Sequence, residues 1–570
     1  MDFKRDLAAA IAKAIGAGSG AEADIDEIFG AIETPPDSSL GDYAFPCFRL
    51  AKTMRKAPPV IALELGGAVE LPPSFERAET VSAYLNFYLR REVFAGEVLA
   101  GIAARGEAYG MSDIGGGGAV VIDYSSPNIA KNFHVGHLRT TVIGRALYNI
   151  MNFVGYRSIG INHLGDWGTQ FGKLITAFKR WGAREDVERD GIQELNRLYV
   201  LFHDETKEQP ELEDEARAWF LRMQNGDEEA LAIWKWFVEV SLKEFGRIYD
   251  LLGVEFDHFT GESFYNDKRD AVVDELRAKN LLVQSEGAWI VDLSRHNMPP
   301  CLILRSDGGT LYHTRDIAAA LYRKREFGFA KALYVTAMDQ NLHFAQFFRV
   351  IEDMGYAWAA ELTHVPYGLV SLESGKLSTR TGNVILMEEL LGEAISRTLA
   401  IIEERNPSLE GKEAVARDVG IGAVIFNDLY NSRIKDVVFS WERVLSFEGE
   451  SGPYVQYTHA RTCSLLEKAG TAPVVDIDTA HLCDPQAFEI FKLLHIFGEK
   501  VQEAAAKLEP YIIARYTVDL AQAFNKFYHD NQILTDDARQ RGARLALVAS
   551  VQLVLKSGLG ILGINAPSKM

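Results

Sequence analysis

A chain of 570 residues, 47% hydrophobic and 24% charged, has room for two to four domains with separate cores. Its 60 basic and 79 acidic residues leave a net charge of −19, which excludes a surface that is basic all over, although screening beyond about 10 Å still permits a local basic track. Cys47, Cys301, Cys463 and Cys483 form no CxxC pair, which argues against a zinc knuckle and a disulfide framework and for a cytoplasmic compartment.

The opening "MDFKRDLAAAIAKAIGAG" has charges spaced through it and predicts an amphipathic helix, not a secretory signal. A Pro-rich turn, "TPPDSSLGDYAFPCFRLAK", follows. "VSAYLNFYLRREVF" then alternates like a strand before turning helical, so residues 1–112 read as an α+β domain. "SDIGGGG" at Ser112 to Gly118 has the composition of a linker. Beyond it, Ala119 to Asp123 predicts a buried parallel strand and Phe133 to Met151 a helix. "YRSIGINHLGD" gives a second strand, Lys331 to Ala337 a third, with a helix from near Asn341. That rhythm predicts a doubly wound parallel sheet over residues 113–409, with ligands at the strand C-termini. Residues from about 181 to 300 interrupt it, and their acidic run "QPELEDEARAWFLRMQNGDEEALAIWKWF" reads as a solvated helical insertion. Residues 410–570 have helical period nearly throughout, and "AFEIFKLLHIFGEKVQEAAAKLEP" and "YIIARYTVDLAQAFNKFYHDNQIL" predict long neighbouring helices of a bundle. The apolar run Leu545 to Leu555 is shorter than the ~18 residues of a spanning helix and reads as buried, so no membrane partner is expected.

One stretch combines unusual residue types. In "SSPNIAKNFHVGHLR", Ser125 to Arg139, the chain leaves the first strand of the parallel sheet through Pro127 and Asn128. It reaches a predicted helix start where free N–H groups and the helix dipole favour phosphate. His134 and His137, three apart, would share a helix face, and Gly136 between them would let a ligand press on backbone. Spacing alone leaves three readings open: a nucleotide site, a metal site, or two surface histidines. The metal reading finds no Asp, Glu or Cys at ligand spacing.

"HVGH" after a first strand is similar to the HxGH signature of class I aminoacyl-tRNA synthetases, and its surroundings resemble the arginyl-tRNA synthetases. Further matches run in order: "GDYAFPCF", "NHLGDWGTQFGKL", "LYHTRD", "MDQNLHFAQFF", "GKLSTRTGN", "GPYVQYTHAR" and the terminal "ILGINAPSKM". The resemblance implies a Rossmann-like catalytic domain with helical insertions, an N-terminal additional domain that contacts tRNA, and a C-terminal anticodon-binding bundle. It also implies a reaction of L-arginine with ATP, as its Mg2+ complex, to arginyl-adenylate, followed by transfer to tRNA(Arg). No permanently bound cofactor or resident metal and a monomeric state complete the expectation.

The residue roles that the resemblance implies are specific. His134, Gly136 and His137 would hold the triphosphate, with Lys376 and Ser378. Asp316 and Tyr312 would meet the substrate guanidinium, a fork of five donors that needs acceptors. Asn128 and Gln340 would hold the amino-acid end, with Ser126 and Glu262 as additions. Tyr454, Tyr457, Tyr528 and Met570 would approach the anticodon, and Tyr84 and Asn86 the outer corner of tRNA. One departure matters. The second signature, usually KMSKS, reads "KLSTR" here, so Thr379 supplies no charge. Lys131, just before HxGH, would replace the missing cation, with Arg380 and Lys376 as rivals.

Overall fold

The computed structural model describes residues 2–19, 23–305, 312–372, 375–376, 385–470 and 477–570. They form two compact units: Met1–Tyr109 with Thr462–Ile496 and Gln522–Val554, and Gly110–Arg461 with Phe497–Ala521 and Leu555–Met570.

The first unit is built on an antiparallel sheet of β1 (Tyr43–Pro46), β2 (Phe75–Val81) and β3 (Tyr84–Leu89), in the order β1-β3-β2. Apolar residues at Phe45, Phe75, Leu85 and Phe87 are buried on it. Helices Phe3–Ser19 and Arg91–Arg105 bring Phe3 and Phe94 to within 4.9 Å between ring centroids. The returning helix Pro485–His495 adds Phe488 and His495 to the same aromatic cluster.

The second unit contains a parallel sheet: β4 (Ala119–Asp123), β5 (Arg157–Asn162), β6 (His258–Phe259), β10 (Lys331–Ala337) and β11 (Leu362–Tyr367), in the order β11-β10-β4-β5-β6. An antiparallel sheet of β7 (Leu282–Ser285), β8 (Ala288–Val291) and β9 (Cys301–Leu304) lies between β6 and β10 in the chain. Every residue of β4 is buried, as a central strand covered on both faces requires. Helix Leu138–Phe153 brings Val142, Ile143, Ala146 and Ile150 into the core. Helices Tyr312–Phe327 and Asn341–Asp353 contribute Ile317, Phe347 and Val350 to a cluster with Val121 and Ile161. Chain order runs from β4 towards β6 and then reverses to β10 and β11, so the switch point falls between β4 and β10.

Three features depart from the expected elements. The interruption after residue 181 is not continuous, because His258 and Phe259 rejoin the sheet beside Ile161 and Asn162. Two residues are too few to carry a periodic signal. The glycine run is an ordered turn: the amides of Gly115 and Gly117 donate to Val154 and Gly155, and a Cβ on Gly115 would lie 2.3 Å from the Tyr156 nitrogen. There glycine serves close backbone approach, not flexibility. The helix Ala538–Ile561 continues the expected apolar run in both directions and is long and apolar enough to cross a membrane, yet Leu547, Val551, Val554 and Leu555 are fully buried.

Gly144 tests the packing of helix on strand. Its Cβ would sit 2.3 Å from the Cβ and Cγ of Tyr124, a ring rooted in buried backbone. Gly144→Ala gains about 1 kcal/mol of helix propensity and loses about 1–3 kcal/mol to overpacking. The expected net result is a lower urea midpoint than wild type, and a raised midpoint would refute the close contact.

Candidate active site

The sheet directs β4, β5 and β10 to a common edge, and the segment after β4 turns there through an uncommon backbone. Ser125, Ser126 and Ala130 have φ of +68°, +45° and +60°. Asp123, the last residue of β4, holds this turn: its Oδ1 accepts from Ser126 Oγ at 2.9 Å, while Oδ2 pairs with Arg323 at 2.8 Å. Arg323, 1% exposed, also reaches His163 Nδ1 at 3.3 Å. Asn128 then pairs with Gly165 as an isolated bridge, and a Cβ on Gly165 would lie 2.0 Å from Asn128 Oδ1. That glycine is required by the approach of the asparagine side chain.

His134 and His137 do not share the helix face expected of them. His134 is extended, at φ −118° and ψ 168°, and caps a short 3-10 turn, Val135–His137, ahead of helix Leu138–Phe153. The segment is held open by backbone pairing: Val135 N donates to Ile385 O, and Met387 N to Phe133 O. His134 Nδ1 accepts from Gly136 N at 3.0 Å, and His137 Nδ1 accepts from His134 N at 3.1 Å, with ring centroids 4.0 Å apart. Both rings therefore carry their proton on Nε2. Burial, reinforced by the charge of Lys131, lowers the His134 pKa. Burial and neighbouring His134 push His137 down to about 3. The pair is thus two neutral N–H donors. Lys131 is exposed beside them. Gly136 is exposed too, and a Cβ there would press on the His134 ring at 2.7 Å.

A second group of side chains is acidic. Tyr312 and Asp316 lie one turn apart on helix Tyr312–Phe327, Tyr312 being 65% exposed. Asp316 Oδ2 accepts from His343 Nε2 at 2.5 Å, and the His313 ring lies 4.3 Å from that of His343. Burial raises the Asp316 pKa, but the hydrogen bond and charge of His343, with His163 and His313, leave it lowered overall. Glu262 is paired with Arg315, both partly buried, and burial pushes it up to about 7 against the pull of Arg315. Asp166 accepts from the amide and hydroxyl of Ser263, and burial raises its pKa. The charges of Asp316 and Asp166 both act on Glu262, so the three acids share one region. Gln340 ends the turn Met338–Gln340 directly after β10 and is exposed. The Ser126 hydroxyl is engaged by Asp123, and the His163 amide donates to it at 3.0 Å.

Other expected residues are dispersed. Ser378 and Arg380 lie outside the described residues, as does Thr379; Lys376 pairs through its backbone with Ser371 in a short antiparallel bridge. In the first unit Tyr84 is 36% exposed and its ring lies 5.6 Å from Phe48, whereas Asn86 is buried at 3%. Tyr528, also of the first unit, is 38% exposed. Tyr454, Tyr457 and Met570 belong to the second, where Arg461 stands 4.9 Å over the Tyr457 ring and Met570 is half-buried. Reasoning from the sequence missed Arg315, Arg323, Asp123, Asp166 and His343. Arg315, Asp166 and His343 lie inside "LYHTRD", "NHLGDWGTQFGKL" and "MDQNLHFAQFF"; the Asp123–Arg323 pair spans 200 positions and leaves no local signal.

The imidazole assignment has a direct readout. Long-range 1H–15N spectra at pH 7 should show both rings as Nε2–H tautomers, with His137 not titrating above pH 5. Its folded pKa lies below the ordinary 6.5, so the stability it contributes is complete above pH 6.5 and is lost as pH falls towards about 3. A His137 resonance titrating near 6.5 would overturn the capping geometry.

Comparison with known proteins places the whole chain. Residues 105–441 match the catalytic-domain model of "tRNA synthetases class I (R)", residues 1–89 the arginyl tRNA synthetase N-terminal domain, and residues 455–570 the DALR anticodon binding domain. An arginine–tRNA ligase of Alkaliphilus metalliredigens is 55% identical over 544 residues, covering 95% of this chain and 96% of its own. One of Halothermothrix orenii is 51% identical over 570 residues, covering 100% of both. The solved arginyl-tRNA synthetase of Thermus thermophilus superposes with a TM-score of 0.82 at 28% identity, covering 100% of each chain. The chain belongs to the arginyl-tRNA synthetases, within class I.

Proposed function

We propose that this site activates L-arginine with ATP and then charges tRNA(Arg). An arginine carboxylate oxygen attacks the α-phosphorus, the bond to the β-phosphate oxygen breaks, and pyrophosphate leaves with the electron pair. The 2′-hydroxyl of the terminal adenosine then attacks the arginyl carbonyl carbon. AMP departs, and the hydroxyl proton is lost. The observation that carries this reading is that neutral N–H donors on the segment after β4 and a group of acids around Asp316 serve the same end of the sheet, linked through His163, whose amide donates to Ser126 and whose charge acts on Asp316.

The donors suit a displacement at phosphorus, where positioning and stabilisation of growing negative charge dominate. His134 and His137 would present Nε2–H to the triphosphate, Gly136 would admit it close to backbone, and Lys376 and Ser378 would close from the signature segment. Because both imidazoles are neutral, the charge falls to Lys131, with Arg380 and Lys376 as rivals. ATP enters as its Mg2+ complex. Asp316 and Tyr312 would take the guanidinium between a carboxylate and a ring face, with Asn128 and Gln340 on the amino-acid end and Ser126 shaping the turn beneath. Tyr454, Tyr457, Tyr528 and Met570 would meet the anticodon, Tyr84 the outer corner of tRNA. Boundaries at 112/113 and 409/410, a monomer and a cytoplasmic location complete the proposal.

Asp316→Asn keeps the shape and removes the charge. Breaking a buried pair from one side costs about 3–5 kcal/mol, so arginine kcat/KM should fall at least a hundredfold with ATP KM nearly unchanged. Normal charging by this variant would show that the guanidinium binds elsewhere. Lys131→Ala should slow pyrophosphate exchange, assayed with tRNA present, at least tenfold, and Thr379→Lys in that background should restore part of the rate. Full activity of Lys131→Ala would remove the lysine from the mechanism.

A further inference from the structure

The segment after β4 is braced by a helix of the insertion. Helix Glu228–Leu252 sets Ser241, Phe245 and Tyr249 at successive i, i+4 positions, so they share one face. That face meets the segment side chain by side chain. Tyr249 Oη is bonded to Ser125 Oγ at 2.8 Å, the Phe245 ring lies 5.7 Å from that of Phe133, and Ser241 Oγ accepts from the Ala130 amide at 3.0 Å. The last contact is the most exacting. Ala130 is buried at a φ of +60°, a region that alanine enters only at a cost. Ser241 is fully buried too, and its hydroxyl hydrogen is given to the Phe237 carbonyl at 2.8 Å, so a lone pair is what faces the segment. The next residue is Lys131, whose charge acts on both imidazoles. We infer that Ser241 is a positioning residue: by accepting the Ala130 amide it fixes the left-handed turn that aims the Lys131 ammonium at the leaving phosphates.

The inference rests on the proposed role of Lys131 and supplies what holds that lysine in place. With Ser241→Ala the Ala130 N–H loses its buried acceptor, and the strained backbone loses the bond that keeps it there. Lys131 then keeps its charge but not its direction. Pyrophosphate exchange, assayed with tRNA present, should slow at least fivefold in kcat, with arginine KM within twofold of wild type. In a Lys131→Ala background the same substitution has no ammonium to misdirect, and it should slow the reaction less than twofold further. Glycine enters the left-handed region without a Cβ penalty, so Ala130→Gly added to Ser241→Ala should recover at least half of the lost rate.

Wild type, Ser241→Ala, Lys131→Ala and the two double variants are compared at saturating ATP and varied arginine, with urea midpoints checking that each is folded. If Ser241→Ala does not fold, Ser241→Cys, which keeps the bulk and weakens the acceptor, takes its place. A loss in kcat that disappears in the Lys131→Ala background supports the inference. An equal loss in both backgrounds, with Lys131→Ala itself impaired, makes Ser241 a packing residue and overturns the inference alone. So does a wild-type rate for the Ser241 variant, or no recovery on adding Ala130→Gly. Full activity of Lys131→Ala removes the lysine from the mechanism, and both readings fall.

Discussion

The buried ion pair between Asp123 and Arg323 is the contact on which the site depends. It joins the end of the central strand to helix Tyr312–Phe327, the helix that also carries Tyr312, Arg315 and Asp316. One carboxylate oxygen meets the arginine while the other holds Ser126 in a left-handed conformation. Such non-glycine residues cost on the order of 1–3 kcal/mol each, and three occur within six positions. The turn keeps this shape because buried hydrogen bonds over-determine it: the Ser125 amide donates to Thr140 Oγ1, and Ser125 Oγ is bonded to Thr141 and Tyr249. The pair adds to these bonds the one tie that runs from the turn to the helix carrying Tyr312 and Asp316.

The two halves of the site are electrically different, and the difference follows from burial. The imidazoles are stripped of charge by desolvation and become directional donors, which act on a ligand through geometry more than through field. The acids are held near one another with internal partners for most of them: Arg323 on Asp123, Arg315 on Glu262, Ser263 on Asp166. Among these acids Asp316 and Asp166 have no lysine or arginine partner in the described residues: His343 donates to the first and Ser263 to the second.

Much of the parallel sheet was legible, because a strand buried on both faces reads as an unbroken apolar run and its helices as period 3.6. The histidine signature and the Tyr312–Asp316 spacing were legible for the same local reason. What the sequence did not reveal involves distance or competition between backbone partners. The helix pattern at Phe133 gave no hint that Ile385 and Phe133 would be drawn into backbone pairing that delays the helix to Leu138 and turns the histidines into caps. Alternation in β3 did not place Asn86 inside, because its neighbours Leu85 and Phe87 are buried as well. Arg315 was visible as a letter beside Asp316, but its partner lies 53 positions earlier in a 3-10 turn, with no periodicity to connect them.

The aromatic cluster of the first unit has a consequence for synthesis. Phe94 packs on Phe488 and His495, Arg91 donates to the Cys483 carbonyl, and Tyr109 donates to the Leu494 carbonyl. These partners leave the ribosome almost 400 residues after Phe94, which at ~5–20 residues per second is a delay of roughly 20–80 s. During that interval the early segment has its sheet and helices but lacks one wall of its core. The nascent chain therefore displays a phenylalanine-lined face for most of its translation, and its safe passage depends on whatever shields apolar surface at the ribosome exit until the late helix arrives.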